Sequence, residues 1–152
     1  MRTTQLIIVD LRIASGALGM PLRENLIDAR FVGREVTIYV IGKDEPIKGL
    51  IDEVARYEIG VRSEGSPIVI FRHAMLYAIT EATELHGYSN EQLRDTVIDS
   101  DMVGSDVEVY LINGLRFQGK LMKVTKYELG FRIEDRGYIV PKSSIAYIKF
   151  TI

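Results

Sequence analysis

The chain has 152 residues, with 21 acidic against 19 basic side chains and a formal charge of −2, a length that suits one ordinary domain or two minimal ones. Hydrophobic residues at 47% and charged residues at 26% exclude a disordered chain, and the absence of cysteine excludes a disulfide framework and a thiolate zinc site. No stretch reads as a secretion signal or a membrane span, which predicts a cytoplasmic protein with no membrane partner, and the slightly acidic balance leaves nucleic-acid binding dependent on a local basic patch.

In chain order, residues 1–20 read as an N-terminal extension in which TQLIIVDLRI looks like an extra strand and SGALGMP, running on to Pro21, like a turn. Pro21 sits where a first helical turn tolerates proline, and Leu22, Leu26 and Ile27 supply the apolar stripe of a short helix. Val36, Ile38 and Val40 then alternate with polar neighbours, the signature of a half-buried strand. TEATELHGY, with His86, reads as a solvated linker. After it, Ser89 or Asn90 caps a second expected helix, with Glu91 near its N-terminus and Leu93, Val97 and Ile98 on one face. Val107, Val109 and Leu111 again alternate with polar residues, and Asn113-Gly114 is the strongest two-residue hairpin signal in the chain. A strand with Phe117, Leu121 and Val124 follows, then strands at Tyr127 to Glu134, around Ile139 and at Ile145 to Phe150. Gly60 and Gly130, inside strand patterns, mark bends or close backbone approach.

The second series repeats the first. At an offset of about 70 residues, LIDARFVGREVTIYVI lies over VIDSDMVGSDVEVYLI, and GLIDEVARYEIGVR over GKLMKVTKYELGFR. Ile27 pairs with Ile98, Asp28 with Asp99, Gly33 with Gly104, Tyr39 with Tyr110, Gly49 with Gly119, Tyr57 with Tyr127, Glu58 with Glu128 and Arg62 with Arg132. The offset slips by one residue where GKDEP in the first copy replaces the shorter NG turn of the second, as loops allow. Units of about 55 to 60 residues lie near the lower limit for independent folding, so assembly is expected. The expected architecture is mostly β with short helices: two tandem bent five-stranded antiparallel barrels of SH3-like type, each with an N-terminal helix, at 21–80 and 89–152, joined by a linker at 81–88.

A helix, then GxxVxVYLxNGxxxxGxL, an aromatic strand and a final basic strand is the pattern by which both copies resemble the Sm-like superfamily, especially its Hfq-like branch. In the second copy VEVYLINGLRFQGKL is similar to that branch's first two strands; in the first, IFRHAM resembles its YKHA motif, with Phe71 for tyrosine and Arg72 for lysine. The family's FDxF box becomes VARY and VTKY, without the aspartate, and the second copy has PKSS where the histidine would stand. The resemblance implies a ring, a pseudo-hexamer of three tandem chains paired through edge strands, that binds single-stranded RNA. On the helix-bearing face, uridine-rich RNA would meet Tyr57, Arg72, His73 and Arg23 of the first copy and Tyr127, Lys142 and Ser143 of the second. On the opposite face, adenine-rich RNA would meet Tyr110, Leu115, Arg116 and Gln118, with Tyr39 and Lys48 in the first copy. Aromatic faces stack unpaired bases at about 1–3 kcal/mol each while cations neutralise phosphates. The missing aspartates, the lost second histidine and the acidic balance equally suit a structural or protein-interaction module that kept the barrel and lost RNA. Other small barrels, such as the PRC or SH3-like kinds, share the GxxV and strand pattern.

No catalytic constellation emerges, so no enzymatic activity and no cofactor are expected. GLRFQGK nearly matches a phosphate-binding loop, but Leu121 stands where a hydroxyl is required, and the run spans a hairpin rather than opening a helix. A lone histidine makes no metal site. Glu58 with Arg62, and Glu128 with Arg132, read as a repeated surface ion pair worth little energy.

Overall fold

Alternating valine and isoleucine make Glu35–Val40 a strand with one buried face, and Asp106–Leu111 repeats the pattern in the second copy. The computed structural model describes residues 22–151. Its strands are β1 (Glu35–Val40), β2 (Ile47–Val54), β3 (Glu58–Ser63), β4 (Ser66–Phe71), β5 (Met75–Ile79), β6 (Asp106–Leu111), β7 (Arg116–Val124), β8 (Glu128–Ile133), β9 (Arg136–Pro141) and β10 (Ile145–Phe150). They form one antiparallel sheet in the order β5-β1-β2-β3-β4-β10-β6-β7-β8-β9.

Two expectations are overturned. The halves are not two five-stranded barrels: β4 pairs with β10, Ile70 opposite Tyr147, Val69 opposite Ile148 and Ile68 opposite Lys149, so neither set of five strands closes on itself and a single open sheet of ten results. Nor is there an α-helix among the described residues. The segment expected to begin a helix at Ser89 runs without regular structure to Ile98. Its backbone is engaged by the first copy instead: Arg56 N–H donates to the Arg94 carbonyl at 2.8 Å and Tyr57 N–H to that of Asp95 at 3.0 Å. The Glu58 carboxylate accepts the N–H groups of Val97 and Ile98 at 2.8 and 2.9 Å. An isolated helix of ten residues is marginal at best, and these partners outcompete it. What survives at both sites is a single 3-10 turn, Ala29–Phe31 and Ser100–Met102, each capped by an aspartate, Asp28 and Asp99. Pro21 and the strand expected in TQLIIVDLRI lie outside the described residues.

Bulges bend the two long strands at equivalent places, opposite Gly60 between Ile51 and Glu53, and opposite Gly130 between Leu121 and Lys123. Close backbone approach falls on a different glycine pair: a Cβ on Gly49 would collide with the Arg62 carbonyl, and one on Gly119 would lie 3.0 Å from that of Arg132. The β3–β4 connection is the two-residue turn Glu64-Gly65 with φ of 52° and 81°, both positive as a tight hairpin of this length requires. At Asn113-Gly114 the expected hairpin forms, but its connection runs from Ile112 to Leu115, with Gly114 at φ 90° and the Asn113 side chain accepting from Leu115 N–H.

Two apolar clusters fill the fold, and each borrows from the other copy. The first, around Ile38, Ile51, Ile59 and Ile70, takes in Ala146 and Tyr147; the second, around Val109, Leu121, Leu129 and Ile148, takes in Ala55, Val69 and Phe71. Burial at the β4–β10 seam ties the halves together by the same area-proportional driving force that forms each core.

Candidate functional site

Of the residues expected on the helix-bearing face, Tyr57, Arg23, His73 and Lys142 make contacts between the copies, and most of the cations there are already engaged. Arg72 donates to the Ala55 carbonyl at 2.9 and 3.1 Å and to the Ile27 carbonyl at 2.8 Å. Burial, partly offset by Asp28, lowers its pKa to about 10. Arg23 lies 3.7 Å over the Tyr88 ring and donates to the Ser89 carbonyl and to Asn90 Oδ1. His73 Nε2 is 2.9 Å from the Ile145 carbonyl, across the seam. Lys142 lies 4.0 Å from Glu58, while Ser143, its neighbour, is exposed. Tyr57 and Tyr127 are exposed beside Arg56 and Lys126, at 5.4 and 5.2 Å from cation to ring. Arg56 itself bridges Glu24 and Asp95 at 3.2 Å each, and its pKa is raised chiefly by the hydrogen bond to Glu24.

Glu58 departs most from its expected role. It is buried and forms no pair with Arg62, whose partner is Asp52 at 3.4 Å. Oε1 holds the Val97 and Ile98 N–H groups, whereas Oε2 has no hydrogen-bond partner. Burial pushes its pKa up, against the pull of those N–H groups and of Lys142. Its repeat equivalent Glu128 is exposed, and Arg132 donates instead to the Glu134 carbonyl at 2.7 Å.

The opposite face brings its expected residues closer together. Tyr110 stacks on Tyr147 with ring centroids 4.2 Å apart and planes 10° from parallel. The Tyr110 hydroxyl donates to Glu108 at 2.8 Å and accepts from Arg116 at 3.3 Å, so Glu108 fixes both groups. The stacked pair lines two adjoining recesses at the seam. One, of about 600 Å³, adds Tyr39, Lys43, Lys48, Glu45, Glu64 and Lys149; the other, about 240 Å³, adds Lys43, Asp44, Gly114 and Arg116. Among the described residues, Lys43, Lys48 and Lys149 form no ion pair. Burial raises the pKa of Tyr147 and of Tyr110 above the ordinary phenol value. Leu115 is exposed on the β6–β7 turn, and Gln118 faces a separate recess with Lys120 and Arg132.

Sequence reasoning missed Tyr147, Lys43 and Lys149. Lys43 sits in the GKDEP insertion without a counterpart in the other copy; Tyr147 and Lys149 join the site only because β10 crosses to β4. No group of three or more metal-binding side chains occurs among the described residues. No helix described here is long and apolar enough to cross a membrane. No family model matches the chain, and no curated protein matches it.

Proposed function

We propose that the chain is a cytoplasmic single-stranded RNA-binding protein, as its resemblance to the Hfq-like branch implies, and that it uses the Tyr110–Tyr147 seam rather than the Tyr57 side. The observation that carries the reading is three lysines, Lys43, Lys48 and Lys149, that form no ion pair among the described residues and lie around recesses lined by Tyr39, Tyr110 and Tyr147. Such lysines release counterions on meeting phosphates, and the part-exposed rings of Tyr39 and Tyr110 are the ones left to meet unpaired bases, Tyr147 being buried against Tyr110. On the other side Arg23, Arg56 and Arg72 already hold protein groups, so moving them to a phosphate would cost the contacts they now make. Adenine-rich sequence is the preferred ligand, since this is the face to which the resemblance assigns it.

The test is fluorescence anisotropy of labelled adenine-rich and uridine-rich oligonucleotides. Binding should weaken with salt, and a Lys43→Ala, Lys149→Ala double variant should flatten the slope by about 0.7 per lost phosphate contact. Lack of binding even at about 50 mM salt would refute the reading and favour a protein-interaction module that has lost RNA. The engaged arginines of the Tyr57 side are the observation favouring that second reading.

A further inference from the structure

The recess of about 600 Å³ beside the Tyr110–Tyr147 stack gathers more charge than one internal nucleotide of a strand uses. Lys43, Lys48 and Lys149 reach it from the β1–β2 connection, β2 and β10, three separate parts of the chain. Glu45 and Glu64 line the same recess, and none of these five side chains takes part in an ion pair among the described residues. The duplication supplies a control. By the repeat, Gln118 stands where Lys48 does and Ile79 where Lys149 does, while Lys43 belongs to the insertion that the second copy lacks. The fold therefore does not require these cations, and like charges gathered without partners oppose folding rather than assist it.

We infer that this recess takes a nucleotide bearing a terminal chain of phosphates together with its magnesium ion, as at the 5′-triphosphate end of an RNA or in a free nucleoside triphosphate. Its volume of about 600 Å³ falls within the roughly 300–1,000 Å³ of small-molecule sites and suits a single nucleotide. An internal nucleotide brings one negative phosphate, which one lysine neutralises, and gives the two glutamates nothing to bind. A triphosphate brings charged oxygens enough for three lysines, each contact a charge-assisted one. Magnesium is commonly held by one or two carboxylates together with phosphate oxygens while keeping several waters, which gives Glu45 and Glu64 their place on the rim. The part-exposed rings of Tyr39 and Tyr110 meet the base. The inference rests on the RNA-binding reading for the face that is used, and deepens it by naming the part of the strand that is held.

The test is fluorescence anisotropy of one adenine-rich oligonucleotide, labelled at its 3′ end and carrying either a 5′-triphosphate or a 5′-hydroxyl. With magnesium chloride present the triphosphate form should bind at least about tenfold tighter, since a single added charge-assisted contact is worth about that factor. Its affinity should also fall more steeply with salt, by about 0.7 in slope for each further phosphate held. A Lys48→Gln, Lys149→Ile double variant, which brings in the residues of the other copy, should abolish the preference while its urea midpoint stays at or above that of the wild type. Magnesium should tighten the triphosphate form and loosen the hydroxyl form, and Glu45→Gln with Glu64→Gln should remove the tightening alone. Displacement of the triphosphate oligonucleotide by unlabelled adenosine triphosphate assigns the site to free nucleotides, and failure to displace it assigns the site to RNA ends. Equal affinity of the two forms overturns the inference and leaves the RNA-binding reading standing, as does magnesium loosening both. Binding of the triphosphate form with none of the hydroxyl form upholds the inference and refutes binding along the strand.

Discussion

Replacing Glu58 by alanine isolates the contact that fastens the second copy's entry segment to the first. In the wild type one carboxylate oxygen accepts two N–H groups, and Lys142 lies 4.0 Å from the other oxygen. Glu58→Ala leaves two buried donors without acceptors at about 1–3 kcal/mol each. It also leaves a half-buried ammonium without its counter-charge, while relieving the cost of burying a carboxylate. The net expected loss is about 2–4 kcal/mol, a large fraction of the 5–15 kcal/mol that typically separates folded from unfolded chains. Urea unfolding followed by tyrosine fluorescence suits a chain with eight tyrosines and no tryptophan. The control is Glu128→Ala, the same residue type at the equivalent but exposed position. It should change stability by less than about 0.5 kcal/mol. Equal losses at the two glutamates would refute the reasoning, because they would show that burial and the two N–H contacts do not set the cost.

Further expectations follow from the same contacts. The Glu58 pKa is raised in the fold, so the folded chain holds that proton more firmly than the unfolded one; its contribution favours the fold below the unfolded carboxyl range and is lost as pH rises through the raised value. Stability of the wild type relative to Glu58→Gln should therefore fall as pH rises above about 4.5, and a rise would contradict the burial argument. Arg72→Ala, by orphaning two backbone carbonyls, should cost about 1–3 kcal/mol in urea unfolding, whereas Arg116→Ala should stay within about 0.5 kcal/mol of wild type yet weaken oligonucleotide binding. Among the glycines, Gly49→Ala meets the Arg62 carbonyl and should lower the melting temperature, while Gly137→Ala enters open space and should leave it nearly unchanged.

What the sequence reveals about this fold is mostly what depends on period two. Strands at Glu35–Val40 and Asp106–Leu111 follow from alternation, and the duplication follows from matched pairs such as Tyr57 and Tyr127. The expected helices fail because Leu93, Val97 and Ile98 satisfy a helical stripe and an irregular segment equally well. A buried carboxylate 40 residues upstream of Ile98 decides between them. Closure into separate barrels fails because nothing local in SPIVIF tells whether β4 will pair within its own copy or with β10. At the site, Tyr110 and Arg116 are legible through the hairpin pattern, but Tyr147 and Lys149 arrive from a strand that no local pattern links to Tyr39. Conversely Arg72 looks like a phosphate ligand in IFRHAM, yet its geometry gives its donors to backbone carbonyls.

Photo-crosslinking of a bound adenine-rich oligonucleotide, with the modified peptides mapped by mass spectrometry, tests the seam as the RNA site most directly. Crosslinks should concentrate in peptides containing Tyr39 to Lys48, Tyr110 to Arg116 and Tyr147 to Lys149. Crosslinks confined to the peptides of Tyr57 and Tyr127 would contradict the account.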